Sequence, residues 1–124
     1  MHKVVFNNCY GGFSLSLKAV DWLEANCVDN ELRDFIKSLR LAGKEYSFAS
    51  KDECICYDVS EYFEDNRHHK DLVAVVEALG KDANGCCAAL AIKKINCNQY
   101  RIDEYDGAEE VIVPDCENWI FIND

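Results

Sequence analysis

The sequence predicts an α+β domain in which a small, mostly antiparallel sheet is packed by about three helices. Three observations predict it. Apolar residues recur at helical spacing in three windows. Between and around those windows lie short strand-like runs bounded by turn residues such as Gly11-Gly12, Ser50-Lys51-Asp52 and Asp106-Gly107. The resulting order of strand, helix, helix, strands, helix, strands suits helices layered on an antiparallel sheet. The 124 residues fit one domain spanning 1–124, with no linker, internal repeat or low-complexity segment.

Lys3–Phe6 is a short apolar run and the expected first strand. Asn7–Phe13 is a turn, and Ser14 or Ser16 suits the N-cap of the helix that follows, about Leu17–Cys27. Leu17, Val20, Leu23 and Cys27 share one face of it. Asp29 or Asn30 caps a second helix, in which Leu32, Phe35, Ile36 and Leu39 follow the i, i+3, i+4, i+7 pattern. Gly43 is its expected stop.

Tyr46–Ala49 and Glu53–Val59 read as two strands joined at Ser50-Lys51-Asp52. Ser60–His69 is polar and reads as a loop. Lys70–Ala83 is the clearest helix, striped by Leu72, Val76, Leu79 and Ala83, and Asn84-Gly85 ends it. Cys87–Ile95 and Tyr100–Tyr105 are expected to form a hairpin across Asn96-Cys97-Asn98. Asp106-Gly107 is a turn, and Val111–Val113 and Trp119–Ile122 are late strand candidates.

The formal charge of −10 is segregated. Residues 1–50 carry six basic and six acidic residues, whereas 51–124 carry seven basic and seventeen acidic. Nucleic-acid affinity comes from Lys and Arg displacing counterions, so direct nucleic-acid binding over a broad face is excluded. Anionic membranes are excluded for the same reason. The acidic half suits a basic protein partner, or simply keeps the chain in solution. Met1–Phe6 runs straight into Asn7-Asn8, too short an apolar stretch for a signal peptide. The eight cysteines are therefore read as reduced thiols in a cytosol, several of them as small hydrophobes.

The block Val4–Ser16, Leu72-Val73 with Val75–Glu77, Leu79-Gly80, Ala83-Asn84-Gly85, and Glu104–Gly107 with Glu109 resembles a family of small proteins of tailed bacteriophages. The blocks keep the family's order over roughly Val4–Val111. The resemblance implies a phage accessory protein acting in the host cytoplasm, with an anti-defence role, and implies no chemistry. The chain departs from the pattern where the family starts its third helix with Asp and Pro. Here Arg67-His68-His69-Lys70 stand instead. Ala89 and Ala91 replace strand positions that are usually charged, which makes both strand faces apolar and calls for a second layer or a partner chain.

One constellation points to binding. A strand ending in a Gly-Gly turn before a helix exposes backbone N–H groups at the positive end of a helix dipole, which suits an anion. Asn7, Asn8, Cys9, Tyr10, Gly11, Gly12, Phe13, Ser14 and Ser16 make up that turn. Its asparagines and serines offer polar contacts, and Tyr10 and Phe13 offer stacking surfaces. Neither a Walker loop nor a dinucleotide fingerprint is present, so a tight turn with core-facing aromatics is the competing reading. Arg67, His68 and His69 form the basic cluster of the acidic half and complete the expected ligand set, unless they are only a solvated helix start. Glu104, Tyr105, Asp106 and Glu109 make a secondary, carboxylate-rich candidate, or a solvated hairpin end.

Catalysis and metal binding have weaker signatures. Cys9 near a helix start would need His68 or His69 as base, and a phosphatase loop would need arginine where Leu15 stands. Cys54-x-Cys56 lacks the Cys-x-x-Cys spacing of zinc sites. The expected function is therefore non-enzymatic, with no cofactor and no metal. It is the sequestration of a small nucleotide-like anion between Asn7–Ser16 and Arg67–Lys70, with a homodimer interface as one location. The alternative is an acidic inhibitor of a basic host protein, and the lesser one a nucleotide hydrolase.

Overall fold

The computed structural model describes residues 2–10, 12–41, 45–47, 55–85 and 88–114. Their order is β1 (His2–Asn7), β2 (Leu15–Ser16), α1 (Leu17–Asn26), α2 (Asn30–Leu41), β3 (Glu45–Ser47), β4 (Ile55–Tyr57), α3 (Ser60–Phe63), α4 (Lys70–Leu79), a 3-10 turn at Gly80–Ala83, β5 (Leu90–Ile95), β6 (Arg101–Tyr105) and β7 (Ala108–Ile112). The fold is α+β with antiparallel pairing throughout the described strands. The candidates Gly43, Ser50–Asp52 and Trp119–Ile122 lie outside the described residues.

Alternation along β1 organises the layers. Side chains of a strand point to opposite faces in turn. Val5 joins the main core with Val20 and Leu23 of α1, Leu32 and Ile36 of α2, Phe63 of α3, and Leu72 and Val75 of α4. Val4 faces the other way and packs with Ile95 of β5, Val111 of β7 and Val113. β1 pairs with β5 from His2↔Ile95 to Asn7↔Leu90. This ladder thus has helices on one face and the β6–β7 hairpin on the other. That hairpin is the second layer which the apolar Ala89–Ala91 stretch calls for.

Three sequence expectations are corrected here. β5 does not form a hairpin with β6 across Asn96–Asn98; it pairs with β1, and β6 pairs with β7. The cause is the Asp106-Gly107 turn, in which both residues have positive φ, 53° and 90°. A two-residue turn with both φ positive matches the natural strand twist and closes a tight hairpin. The helix expected over Lys70–Ala83 stops at Leu79, because Gly80 takes φ 57° and ψ −126°, which no L side chain favours. Ser60–His69 also holds a helical turn, α3, anchored by the fully buried Phe63.

Helix starts follow the caps. Ser16 Oγ accepts from the Ala19 N–H and donates to the Asp82 carbonyl, so Ser16 rather than Ser14 caps α1. Asp29 Oδ1 accepts from the N–H groups of Glu31 and Leu32, capping α2. In place of Asp and Pro, His69 caps α4 by accepting the Asp71 N–H at Nδ1. Among the cysteines, Cys9, Cys27 and Cys56 are free, and burial pushes the Cys27 thiol up. Cys97 is disulfide-bonded, which corrects the expectation that all eight are reduced.

Gly85 pins the segment after the 3-10 turn to the Asn7–Ser16 turn by donating its N–H to the Ser14 carbonyl at 3.1 Å. A Cβ at position 85 would sit 1.9 Å from Ser14 Oγ and 3.0 Å from its backbone carbon. Gly85→Ala is expected to destabilise the fold by about 1–3 kcal/mol, the usual cost of overpacking. Urea unfolding of the variant against the parent chain measures it.

Candidate functional site

Arg67 sits where the layers meet, with its side chain 5% exposed. Its guanidinium makes a two-pronged contact with Glu109 of β7, at 2.5 and 2.8 Å, and its Nε donates to the Phe63 carbonyl. The guanidinium carbon lies 4.0 Å above the centre of the Phe13 ring. Its backbone N–H donates to Tyr100 Oη, and its carbonyl accepts from the Val5 N–H of β1. One residue therefore joins β1, the turn before β2, α3, β7 and the segment before β6.

The Asn7–Ser16 turn is built inward as much as outward. Asn7 is fully buried. Its Nδ2 donates to the carbonyls of Cys9 and Gly107, and its Oδ1 accepts from the Ala89 N–H. Its backbone N–H donates to Glu109 Oε1, and the Asn8 N–H donates to the Ala89 carbonyl. Phe13 is buried beneath Arg67. Tyr10 is 68% exposed, and Cys9 is half-buried. Gly11 lies outside the described residues. Of the turn, Gly12, Phe13 and Ser14 line the cleft described below; Asn7 and Ser16 hold the fold together instead.

The two histidines diverge. Tyr100 Oη accepts from the Arg67 N–H and also shares a hydrogen bond with His68 Nδ1 at 2.7 Å. Burial pushes the Tyr100 phenol above its usual value. His69 accepts at Nδ1 from Asp71 and donates from Nε2 to Asp29 Oδ2 at 2.7 Å. Both of its nitrogens are occupied, so it has none to offer Cys9 as a base. Asp29 Oδ2 also accepts from Tyr62 Oη, and buried Asp71 accepts from the N–H groups of Val28 and Asp29. Hydrogen bonds from His69 and Tyr62 hold the Asp29 carboxyl down at about 2. Burial, aided by Asp29, pushes the Tyr62 phenol up.

The cleft, of about 1230 Å³, opens between the Gly12–Ser14 turn, the α3 region and β6. Among the described residues six carboxylates line it, Asp58, Glu61, Glu64, Asp65, Glu104 and Glu109, and two cations, Arg67 and Arg101. Glu109 neutralises Arg67, which leaves five carboxylates against the exposed Arg101. Asp58, Glu61, Glu64 and Asp65 were not among the sequence candidates. Their signal was the run of acidic residues Asp58, Glu61, Glu64 and Asp65 just ahead of Arg67. In the secondary group, Glu104 Oε1 accepts from the Gly107 N–H, Tyr105 is exposed, Asp106 makes the turn and Glu109 is held by Arg67.

Cys54 lies outside the described residues and Cys56 is buried. Among the described residues no group of three or more His, Cys, Asp or Glu is placed to hold a metal ion. No helix among them is long and apolar enough to cross a membrane. Comparison with family models, curated proteins and solved structures gave no match.

Two outcomes follow. Glu109→Gln leaves the Arg67 charge buried without its counter-charge, a change that typically costs about 3–5 kcal/mol. Arg67→Met with Glu109→Leu is expected to recover part of that loss, and denaturant unfolding of the three chains checks both. The Asp29 value is lower folded than unfolded, falling from 3.8 to about 2, so its stabilisation is complete above about pH 4 and disappears as pH falls towards about 2. Asp29→Asn is expected to remove about 2 kcal/mol at neutral pH and to flatten that acid limb in urea titrations.

Proposed function

We propose that this chain is a binding protein whose acidic cleft takes a basic segment of a partner protein. The observation that carries the proposal is the charge of the cleft. Five carboxylates not matched by Arg67 surround a floor whose buried guanidinium is already neutralised by Glu109. A cleft lined by one sign of charge between low-dielectric walls concentrates oppositely charged groups. It also repels nucleotide phosphates. In the phage setting that the resemblance implies, the partner is a basic host protein. Occupation of its positive face, of the kind that holds nucleic acid, is the biological effect.

Sequestration of a small nucleotide-like anion keeps one supporting feature. Gly12, Phe13 and Ser14 line the cleft beside Arg67, which is where an aromatic ring and a cation would receive a base and a phosphate. The positive charge that reading relies on is balanced by Glu109, and Asp58, Glu61, Glu64 and Asp65 line the same cleft. The basic-partner reading therefore has the better electrostatic support.

Fluorescence anisotropy with a Lys/Arg-rich peptide is the test. Binding is expected to weaken by roughly an order of magnitude as salt rises from about 50 to about 300 mM, because exposed charge pairs are screened over that range. The chain carrying Asp58→Asn, Glu61→Gln, Glu64→Gln and Asp65→Asn is expected to bind at least about tenfold more weakly, or about 1.4 kcal/mol. Peptide affinity that ignores both salt and these substitutions would overturn the proposal. Calorimetric heat with cyclic nucleotides or ADP-ribose derivatives, without peptide binding, would favour the anion reading.

A further inference from the structure

The β6–β7 register shows which backbone groups face the cleft side of the hairpin. Tyr105↔Ala108 closes the two-residue turn, and pairing continues through Glu104↔Glu109, Asp103↔Glu110, Ile102↔Val111 and Arg101↔Ile112. In an antiparallel ladder, hydrogen-bonded and non-hydrogen-bonded pairs alternate. A tight hairpin begins with a hydrogen-bonded pair, so Tyr105, Asp103 and Arg101 bond across to β7. The N–H and C=O groups of Ile102 and Glu104 then point away from it. The same alternation turns Val111 outward on β7, and its carbonyl does accept an outside donor, Lys93 Nζ at 3.4 Å.

The outer edge of β7 is thus engaged by Lys93 of β5, while β6 pairs with β7 alone among the described residues. Ile102 and Glu104, whose backbone groups form the outer edge of β6, both line the acidic cleft. All of β6 is exposed except the half-buried Ile102. Such an edge is a template for another extended chain. Its occupant is chosen by charge. A second copy would bring one acidic cleft against another and set Asp103 and Glu104 against their own like. A segment carrying Lys or Arg at alternate positions would do the reverse, its cations reaching Glu104, Glu61 and Glu64.

Resting on the basic-partner reading, we propose that the partner segment binds in extended form, added as a strand to the free edge of β6. Its main chain exchanges hydrogen bonds with Ile102 and Glu104, whose outward groups pair with no strand among the described residues, and its alternate basic side chains face the cleft. Main-chain pairing supplies register, and the carboxylates supply selection for positive charge.

The test uses a synthetic peptide of alternating Lys and Thr and two derivatives, N-methylated at alternate residues, one on the Lys set and one on the Thr set. A strand presents its N–H groups alternately to opposite edges, so only one methylated set faces β6. The unmodified peptide is expected to bind, one derivative to bind at least tenfold more weakly and the other to match the parent peptide. Which derivative fails reports strand direction. Equal affinity of the two derivatives, strong or weak, overturns strand addition while leaving the basic-partner reading in place; failure of the unmodified peptide overturns both. Ile102→Pro removes one outward N–H without touching the β6–β7 ladder. It is expected to weaken the unmodified peptide while the circular dichroism stays that of the parent chain. Full affinity in this folded variant also counts against strand addition, and the methylated pair decides the matter if the variant does not fold.

Discussion

The buried ion pair between Arg67 and Glu109 is the constraint on which the arrangement of layers depends. Removing two charges from water is costly, and their attraction repays it only with good geometry and with the remaining donors satisfied. Here those donors are met by two prongs to Glu109, a bond to the Phe63 carbonyl and the face of Phe13. Apolar replacements of such pairs are often neutral or better, so the contribution of this one is chiefly positional. It fixes where the hairpin sits. β7 cannot slide along β1 without pulling Glu109 from both Arg67 and the Asn7 N–H. A one-residue slip would turn Val111 out of the second core and Glu110 into it.

That positioning has an electrostatic consequence for the cleft. A free arginine at its floor would have made the site amphoteric. With Glu109 against it, the arginine contributes structure rather than field, and the carboxylates around α3 and on β6 set the sign. The polar network at the other end of the same segment works in a similar way. Asp29, Tyr62, His69 and Asp71 tie the start of α2 and the start of α4 together, using both histidine nitrogens and both Asp29 oxygens. His69 and Arg67, which look reactive in the sequence, are absorbed by the fold.

The helices were legible because their signals are local. Ser16 and Asp29 are short polar residues ahead of apolar stripes, and those stripes bury Val20 and Leu23 of α1, Leu32, Ile36 and Leu39 of α2, and Leu72 and Val76 of α4, whereas Leu17 at the start of α1 is exposed. The Asp106-Gly107 turn was legible for the same reason. Strand partners were not. Whether Leu90–Ile95 pairs with β1 or with β6 depends on residues some eighty positions away, and no local pattern carries that choice. The candidate site was half legible. The structure brings Asn7, Phe13 and Arg67 together, Asn7 and Arg67 by bonds to Glu109 and Phe13 beneath the guanidinium. Their polarity of use was not visible, because a sequence does not show that Glu109 will arrive from forty-two positions on to meet the arginine. His69 as a cap was equally hidden, its ring nitrogen standing in for the expected carboxylate.

The two edges of the hairpin show how one charge distribution can serve both avoidance and recognition. Sheet edges invite unwanted pairing, and proteins blunt them with charged side chains or cover. β7 is covered, since Lys93 bonds the outward Val111 carbonyl and Glu109 is held against β1. β6 relies on charge instead. Asp103 and Glu104, beside the cleft carboxylates, repel a second copy of this chain and any other acidic strand. Repulsion of like charge is attraction of unlike charge at the same distance, so a charged edge that disfavours an acidic strand favours a basic one. An edge protected by Lys93-type capping on both sides would have been inert. One capped and one merely charged gives the hairpin a side that holds it to the body and, among the described residues, a side with no partner strand.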